Sequence, residues 1–180
     1  MKLLIGLGNP GKNHVHTRHN AGFLCLDFLQ QAWGGSPFQV NQKMSAEISE
    51  CHLGTHQLFL VKPTTFMNAS GTSVSQLVHF YKLLPEDIVV VHDDLDIAPG
   101  TFKQTNSSRA AGHNGVSDII EKLGTQDFTR MRLGIGRPAA VTGACMSAHD
   151  YVLQDFSQEE MVTLTALFPQ IQDELIKWLH

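Results

Sequence analysis

Ile88-Val89-Val90-Val91-His92-Asp93-Asp94-Leu95-Asp96 is the stretch on which the reading of this chain turns. Four β-branched residues in a row mark a strand buried on both faces, since a half-exposed strand would alternate. A histidine and three carboxylates follow at once. Outward from this strand, strands and helices alternate. Lys2–Leu7 is short, apolar and ended by Gly8, so it reads as a second buried strand. Ala21–Trp33 reads as a helix, with Phe23, Leu26 and Leu29 on its apolar side and Gly34-Gly35-Ser36-Pro37 as its stop. Ala46–Leu53 and His56–Val61 read as a hairpin about Gly54-Thr55, with Pro63 ending its second strand. Ser70–Leu84 and Val116–Leu123 are further helices and Met131–Ile135 a further strand. Ser157–Leu179 reads as one C-terminal helix, opened by Ser157 with Glu160 at the capping-box position. The alternation, broken by one hairpin, predicts an α/β fold: a single three-layer α/β/α domain over residues 1–180 with a mixed central sheet. Sites in such sheets gather outside the C-terminal ends of strands, which points to the loops after Leu7, Val61 and Val91.

Composition narrows the function. The 180 residues are 42% hydrophobic, which suits one globular core and excludes global disorder. No apolar run reaches the roughly 18 residues of a transmembrane helix, and the N-terminus enters a Gly-rich loop too early for a signal peptide. Cys25, Cys51 and Cys145 are far apart, with no Cys-x-x-Cys pair, which argues against a cysteine zinc site or a disulfide framework and fits a reducing cytoplasm. The net charge of −4 argues against a generic nucleic-acid binder, but the charges are unevenly spread. Residues 1–20 carry Lys2, Lys12 and Arg18 and no acid. Residues 100–140 carry Lys103, Arg109, Lys122, Arg130, Arg132 and Arg137 against Asp118, Glu121 and Asp127, while residues 149–180 hold six acids against Lys177. If the first two segments meet in the fold, an acidic protein still carries a basic patch.

Five loops carry candidate chemistry. Gly6-Leu7-Gly8-Asn9-Pro10-Gly11 matches the G-x-G-x-x-G dinucleotide motif letter for letter, yet its context fails: no helix begins inside it, and no strand ends in an acid about 20 residues on. Its glycines would instead let the backbone turn sharply and present Asn9. In Thr17-Arg18-His19-Asn20, His19 stands just before a helix, where an exposed ring near neutral pKa suits a general base; a solvent-facing or capping histidine is the plainer alternative. His14-x-His16-x-x-His19 lacks a nearby carboxylate or cysteine to complete a metal site. In Phe66-Met67-Asn68-Ala69-Ser70, Asn68 lies between strand and helix, where it either caps the helix or faces the site. Asp93, Asp94 and Asp96 would bind a magnesium ion, or one of them would orient a histidine. Gly112-His113-Asn114-Gly115 puts Asn114 at a loop end before a helix. With no G-x-S-x-G elbow, a histidine beside an aspartate among amides is equipped to activate water and hold an oxyanion, with no covalent enzyme intermediate.

Taken in order, Gly6–Gly11, Thr17-Arg18-His19-Asn20-Ala21-Gly22-Phe23, Lys62-Pro63-Thr64-Thr65-Phe66-Met67-Asn68, Asp93-Asp94-Leu95-Asp96, Gly112–Gly115 and Tyr151-Val152-Leu153 resemble bacterial peptidyl-tRNA hydrolase, across nearly the whole chain. The resemblance implies a single domain with a twisted mixed sheet. It implies hydrolysis of the ester joining a peptide, or an N-acylated amino acid, to the 3′ end of tRNA, which recycles the tRNA. The base maps to His19 and its orienting aspartate to Asp93. Asn9 maps to the residue that separates N-blocked from free aminoacyl-tRNA, Asn68 and Asn114 to residues holding substrate and oxyanion, and Phe66 to an aromatic contact. No metal or other cofactor is implied, so Asp94 and Asp96 are expected to be structural. The expected partner is peptidyl-tRNA, bound by a cytoplasmic monomer without membrane or stable protein partners. Two positions depart from the family. His14 stands where a substrate-touching tyrosine is usual, and Thr105–Ala111 is poor in glycine where the family stretch is rich. Lys103, Arg109 and Arg132 are the candidates for a tRNA phosphate clamp. A relative that binds RNA without hydrolysing it is the rival class, and the joint presence of His19, Asp93 and three asparagines speaks against it.

Overall fold

The computed structural model describes residues 1–138 and 146–179, so Cys145 lies outside the described residues. Its centre is a seven-stranded sheet: β1 (Lys2–Gly6), β2 (Gln39–Asn41), β3 (Ala46–Leu53), β4 (His56–Pro63), β5 (Ile88–Asp94), β6 (Phe102–Asn106) and β7 (Thr129–Gly134), in the spatial order β2-β3-β4-β1-β5-β7-β6. The four middle strands run parallel, and β2, β3 and β6 are antiparallel additions at the edges. Side chains of β5 alternate between two cores, as a doubly covered strand requires. Val89 and Val91 pack under α1 (Ala21–Ala32) and the C-terminal helices α5 (Gln158–Thr165) and α6 (Phe168–Leu179). Ile88 and Val90 pack under α2 (Ser70–Tyr81) and α3 (Asn114–Leu123). The three-layer α/β arrangement is the one expected. Because β1 lies between β4 and β5, α1 leaves it on one face and α2 leaves β4 on the other, which opens a crevice at the C-terminal ends of β1, β4 and β5.

Several elements differ from the sequence reading for physical reasons. β5 runs on to Asp94, so His92, Asp93 and Asp94 are strand residues held by the ladder to β7. The C-terminal helix is two helices, because Pro169 cannot donate into a helix continuing through the preceding turn, and the chain breaks between Thr165 and Phe168. The Ser157–Glu160 capping box does open α5. α2 ends at Tyr81 with Lys82 in the left-handed conformation, three residues short of Leu84. α3 starts at Asn114, two residues early, because the His113 side chain caps it. The edge strands β2 and β6 and the short helix α4 (Ala148–Val152) carry little apolar periodicity to announce them.

The glycines of the first loop serve packing. A Cβ on Gly6 would lie 2.5 Å from the Gly22 carbonyl oxygen, and one on Gly22 would lie 2.4 Å from both Leu7 N and Val91 O. Two glycines thus let the start of α1 rest directly on β1 and β5. No helix begins within the Gly-rich loop; only single 3-10 turns at Lys12–His14 and Arg18–Asn20 precede α1. The dinucleotide reading therefore lacks its helix N-terminus. Gly22→Ala should destabilise the protein by on the order of 1–3 kcal/mol through overpacking and displace the turn that carries His19. Thermal unfolding and the rate of hydrolysis, measured together, would check both effects.

Candidate active site

The crevice holds a cleft of about 250 Å³ whose lining includes His19, Asp93, His113 and Asn114. Asp93, 2% exposed, sits at the end of β5 and is the pivot. Both its carboxylate oxygens lie 3.0 Å from His19 Nδ1. Its Oδ1 also lies 3.0 Å from His113 Nε2. The proton positions follow from the partners. His113 Nδ1 accepts from the Val116 amide at 3.3 Å, so the proton of His113 is on Nε2, donated to Asp93. A carboxylate only accepts, so His19 Nδ1 donates as well and the lone pair of the neutral ring is on Nε2. Burial opposes charge on Asp93, but the two imidazoles outweigh it and hold its carboxyl far below the usual carboxylate range. Burial likewise works against a charged His19, and the charge and hydrogen bond of Asp93 overcome it, raising the imidazole above its ordinary value.

His19 differs from the sequence reading in one respect: it is buried, 8% exposed, rather than exposed at the sheet edge. Its backbone neighbours explain why. Thr17 bridges to Asp155, Arg18 N donates to Gln154 O, and Phe156 N donates to His16 O. The Arg18 guanidinium makes a bidentate pair with Glu160, donates to the Tyr151 and Gln154 carbonyls, and stacks 4.2 Å from the Tyr151 ring. A strap from α4 and α5 thus closes over the turn that carries His19.

Asn9 lines a second pocket, with Asn20, Phe23 and Lys62, rather than this cleft, and three hydrogen bonds tie it to the loops around His19 and Met67. Its main chain is gripped by Asn20, whose Oδ1 accepts from Asn9 N at 2.8 Å while its Nδ2 donates to Asn9 O at 3.0 Å. The Asn9 side-chain oxygen accepts from Met67 N at 2.8 Å. Met67 in turn lies against Gly115, where an added Cβ would meet its sulfur at 2.5 Å. The Phe66-Met67-Asn68 turn is therefore wedged between the Asn9 loop and the start of α3, with Phe66 and Asn68 exposed. Asn68 makes no helix-capping bond. Asn114, the first residue of α3, is exposed and faces the cleft. His14 stands half-buried on its 3-10 turn and is not among the residues lining this cleft. Asn20 and His113 were quoted in the sequence motifs without a role. The signal for His113 was its place directly before an apolar helical run, the slot of an N-cap.

The three candidate clamp residues are not equivalent. Lys103 on β6 is exposed and sits directly opposite Arg132 on β7. Arg132 is no free cation: its Nε donates to Asp94 Oδ2 at 2.8 Å. Arg109 is exposed, and its carbonyl accepts from the buried Arg130 at 3.0 Å. Asp94 and Asp96 pair with Arg132 and Arg137, and Asp94, Asp96 and Arg137 also line the cleft. Among the described residues, His19, Asp93 and His113 form the group with metal-ligand spacing, their atoms within 4.8 Å. His16 and His14 have no part in it. Because the His113 Nε2 carries a proton aimed at Asp93, the trio reads as a hydrogen-bonded relay rather than a ligand set.

The sequence model of peptidyl-tRNA hydrolase matches residues 3–180. The chain belongs to the peptidyl-tRNA hydrolase family. It is an enzyme of the hydrolase class acting on ester bonds. The peptidyl-tRNA hydrolase of Brevibacillus brevis is 42% identical over 178 residues, covering 99% of this chain and 91% of the relative. That of Neisseria meningitidis is 50% identical over 138 residues, 77% of this chain and 71% of the relative. The crystal structure of peptidyl-tRNA hydrolase from Acinetobacter baumannii aligns with a TM-score of 0.87 at 30% identity, covering 99% of this chain and 92% of that one. Among the described residues no helix is long and apolar enough to cross a membrane.

Within this member of the peptidyl-tRNA hydrolase family, the raised His19 pKa has a measurable sign. The His19 ring should titrate above the ordinary imidazole value of about 6.5. Asp93→Asn should bring it down, because the neighbouring negative charge that favours imidazolium is gone. An NMR titration of the histidine ring signals in both proteins would check the order.

Proposed function

We propose that this protein hydrolyses the ester joining a peptide, or an N-acylated amino acid, to the 3′ end of tRNA, with His19 as general base. The observation that carries this reading is the Asp93 carboxylate shared by His19 Nδ1 and His113 Nε2 at 3.0 Å beside a cleft, which leaves His19 Nε2 as the unprotonated nitrogen of the neutral ring. Water bound in the cleft gives its proton to His19 Nε2 as its oxygen attacks the ester carbonyl. Asp93 keeps the ring in that tautomer and supports the imidazolium formed. Asn114 and Asn68 donate hydrogen bonds to the developing oxyanion, and collapse of the tetrahedral intermediate expels the ribose 3′ oxygen, which takes up the proton. No group of the protein becomes covalently attached, and no cofactor takes part.

Asn9 is fixed at three points by Asn20 and Met67 N, a rigid setting for selecting substrate. Its side-chain amide pairs with the acylated end of the substrate; a charged free amine arrives solvated and finds no partner there. Phe66 and His14 present rings to the substrate. The tRNA phosphates meet Lys103 and Arg109, the exposed cations of this edge, while Arg132 contributes with its charge partly offset by Asp94. Residues 1–180 act as one domain, as a cytoplasmic monomer that returns tRNA to use without a stable protein partner.

The decisive assay compares N-acetyl-aminoacyl-tRNA with its unacetylated form. Hydrolysis of the first and not the second is expected; hydrolysis of neither would overturn the proposal. His19→Ala should lower the rate by about 10²–10⁴-fold while tRNA binding survives, as single-turnover and filter-binding measurements would report. Asn9→Ala should narrow the difference between the two substrates. Equal slowing of both would make Asn9 a catalytic or structural residue instead.

A further inference from the structure

Beside Asp93 in β5 lies an imidazole for which the proposed proton transfer has no use. His92 is 1% exposed, and alternation along the strand puts it on the side of Val90, beneath α2 and α3, opposite the Asp93 carboxylate. A buried histidine among apolar neighbours is costly unless its nitrogens are employed. One is employed. His92 Nδ1 lies 2.7 Å from the main-chain oxygen of Asp93, which can only accept, so the proton of the ring is on Nδ1.

The rest of the ladder explains why that oxygen needs a side-chain donor. Val91 O accepts from Leu7 N across β1. Two residues on, Asp93 O points the same way, but β1 has ended, and the amide next in register, Asn9 N, is already bonded to Asn20 Oδ1. The His92 ring takes the vacant place. Its ring also meets that of His113: the ring centroids are 4.7 Å apart at 68°. His113 then lies 4.9 Å from the His19 ring, tilted at 42°. His113 thus stands over the C-terminal end of β5, bonded to Asp93 on one side of the strand and resting on His92 on the other.

We propose that His92 is a positioning residue for hydrolysis: through the Asp93 carbonyl and the His113 ring it fixes both the strand end and the second imidazole that hold the Asp93 carboxylate against His19. The inference rests on the hydrolytic reading above. A neutral His92 is required, since an imidazolium there would compete with His19 for the Asp93 charge. The groups facing it keep it neutral. Burial lowers its pKa well below the ordinary value, positive charge on His113 opposes a second imidazolium next to it, and the Arg130 guanidinium, 1% exposed on β7, adds a smaller repulsion; Asp93 pulls the other way and does not prevail. His92 Nε2 and Arg130 Nε are both buried without a protein partner, an acceptor and a donor among the same charged neighbours.

Two variants and one spectrum test this. His92→Phe keeps a ring against His113 and removes the donor to Asp93 O. His92→Asn keeps a short donor and removes the ring. For His92→Phe, kcat on N-acetyl-aminoacyl-tRNA should fall roughly 10- to 100-fold with KM unchanged, the cost of loosening a catalytic geometry. The acid limb of its pH profile should move to lower pH, because Asp93 is less firmly held against His19. His92→Asn should recover part of both effects. A folded His92→Phe protein with unaltered kcat and acid limb would overturn the proposal. So would equal losses in both variants with the limb unmoved, which is what a merely structural role predicts. Should His92→Phe not fold, the imidazole ¹⁵N spectrum of the unaltered protein decides. A neutral His92 ring protonated on Nδ1 from about pH 8 to about pH 5 supports the role, and an Nε2-protonated or charged ring overturns it. The two failures are distinguishable: a wild-type protein without hydrolytic activity would overturn the hydrolytic reading and this role with it, whereas an Nε2-protonated or charged His92 in an active protein would overturn this role alone.

Discussion

A carboxylate buried at the end of a central strand is the constraint around which this structure is arranged. Left alone, Asp93 would cost several kcal/mol or take up a proton. It stays ionised because two imidazole N–H groups converge on it, and each of those rings is fixed from elsewhere: His113 by the helix it caps, His19 by the strap that Arg18 binds. The same charge that demands partners confers basicity on His19. Burial by itself would make His19 a weaker base; Asp93 reverses the sign. The electrostatic demand of one residue therefore sets the tautomers, the loop positions and the chemistry together.

Close backbone approach is the second requirement. With Gly6 against Gly22, the turn carrying His19 is brought within hydrogen-bonding distance of a strand that is not its neighbour in the chain. Asn20, one residue after His19, then uses its side chain as a substitute strand edge for Asn9, so the candidate base and the candidate selectivity residue move as one unit. Met67 extends that unit to the Phe66–Asn68 turn and to α3. Three loops from distant parts of the sequence form one wall because each bond joins a main-chain group of one loop to a side chain of the next.

The sequence made the central strands and the longer helices legible because burial on two faces, or on one stripe, leaves a periodic apolar pattern. It did not reveal β2, whose three residues are all exposed, or β6, which lies at the sheet edge with only Phe102 and Thr105 half-buried, a spacing without strand alternation. It spread one helix across Pro169, where apolar periodicity continues through a break that backbone hydrogen bonding imposes. For the candidate site, the motifs pointed to His19, Asp93 and the asparagines, of which His19, Asp93 and Asn114 line one cleft, yet the burial of His19 follows from contacts with residues 151–160 that no local pattern announces. The engagement of Arg132 by Asp94 is of the same kind: both were visible as charges, but only register between β5 and β7 pairs them.

The strap over His19 has a temporal consequence. Its bonds from Arg18 span 133 to 142 residues of sequence, so they close a loop that includes most of the chain. Contacts of such separation form late, after the cost of loop closure is met by the intervening sheet. During synthesis, Asn9, His19 and Asn20 emerge first, but the Tyr151 and Glu160 partners of Arg18 follow 133 and 142 residues later. Until then the turn bearing His19 lacks its anchor. An enzyme proposed to cut chains from tRNA is itself, while being made, a chain joined to tRNA, and its own topology withholds the finished site until residues 151–160 have been made.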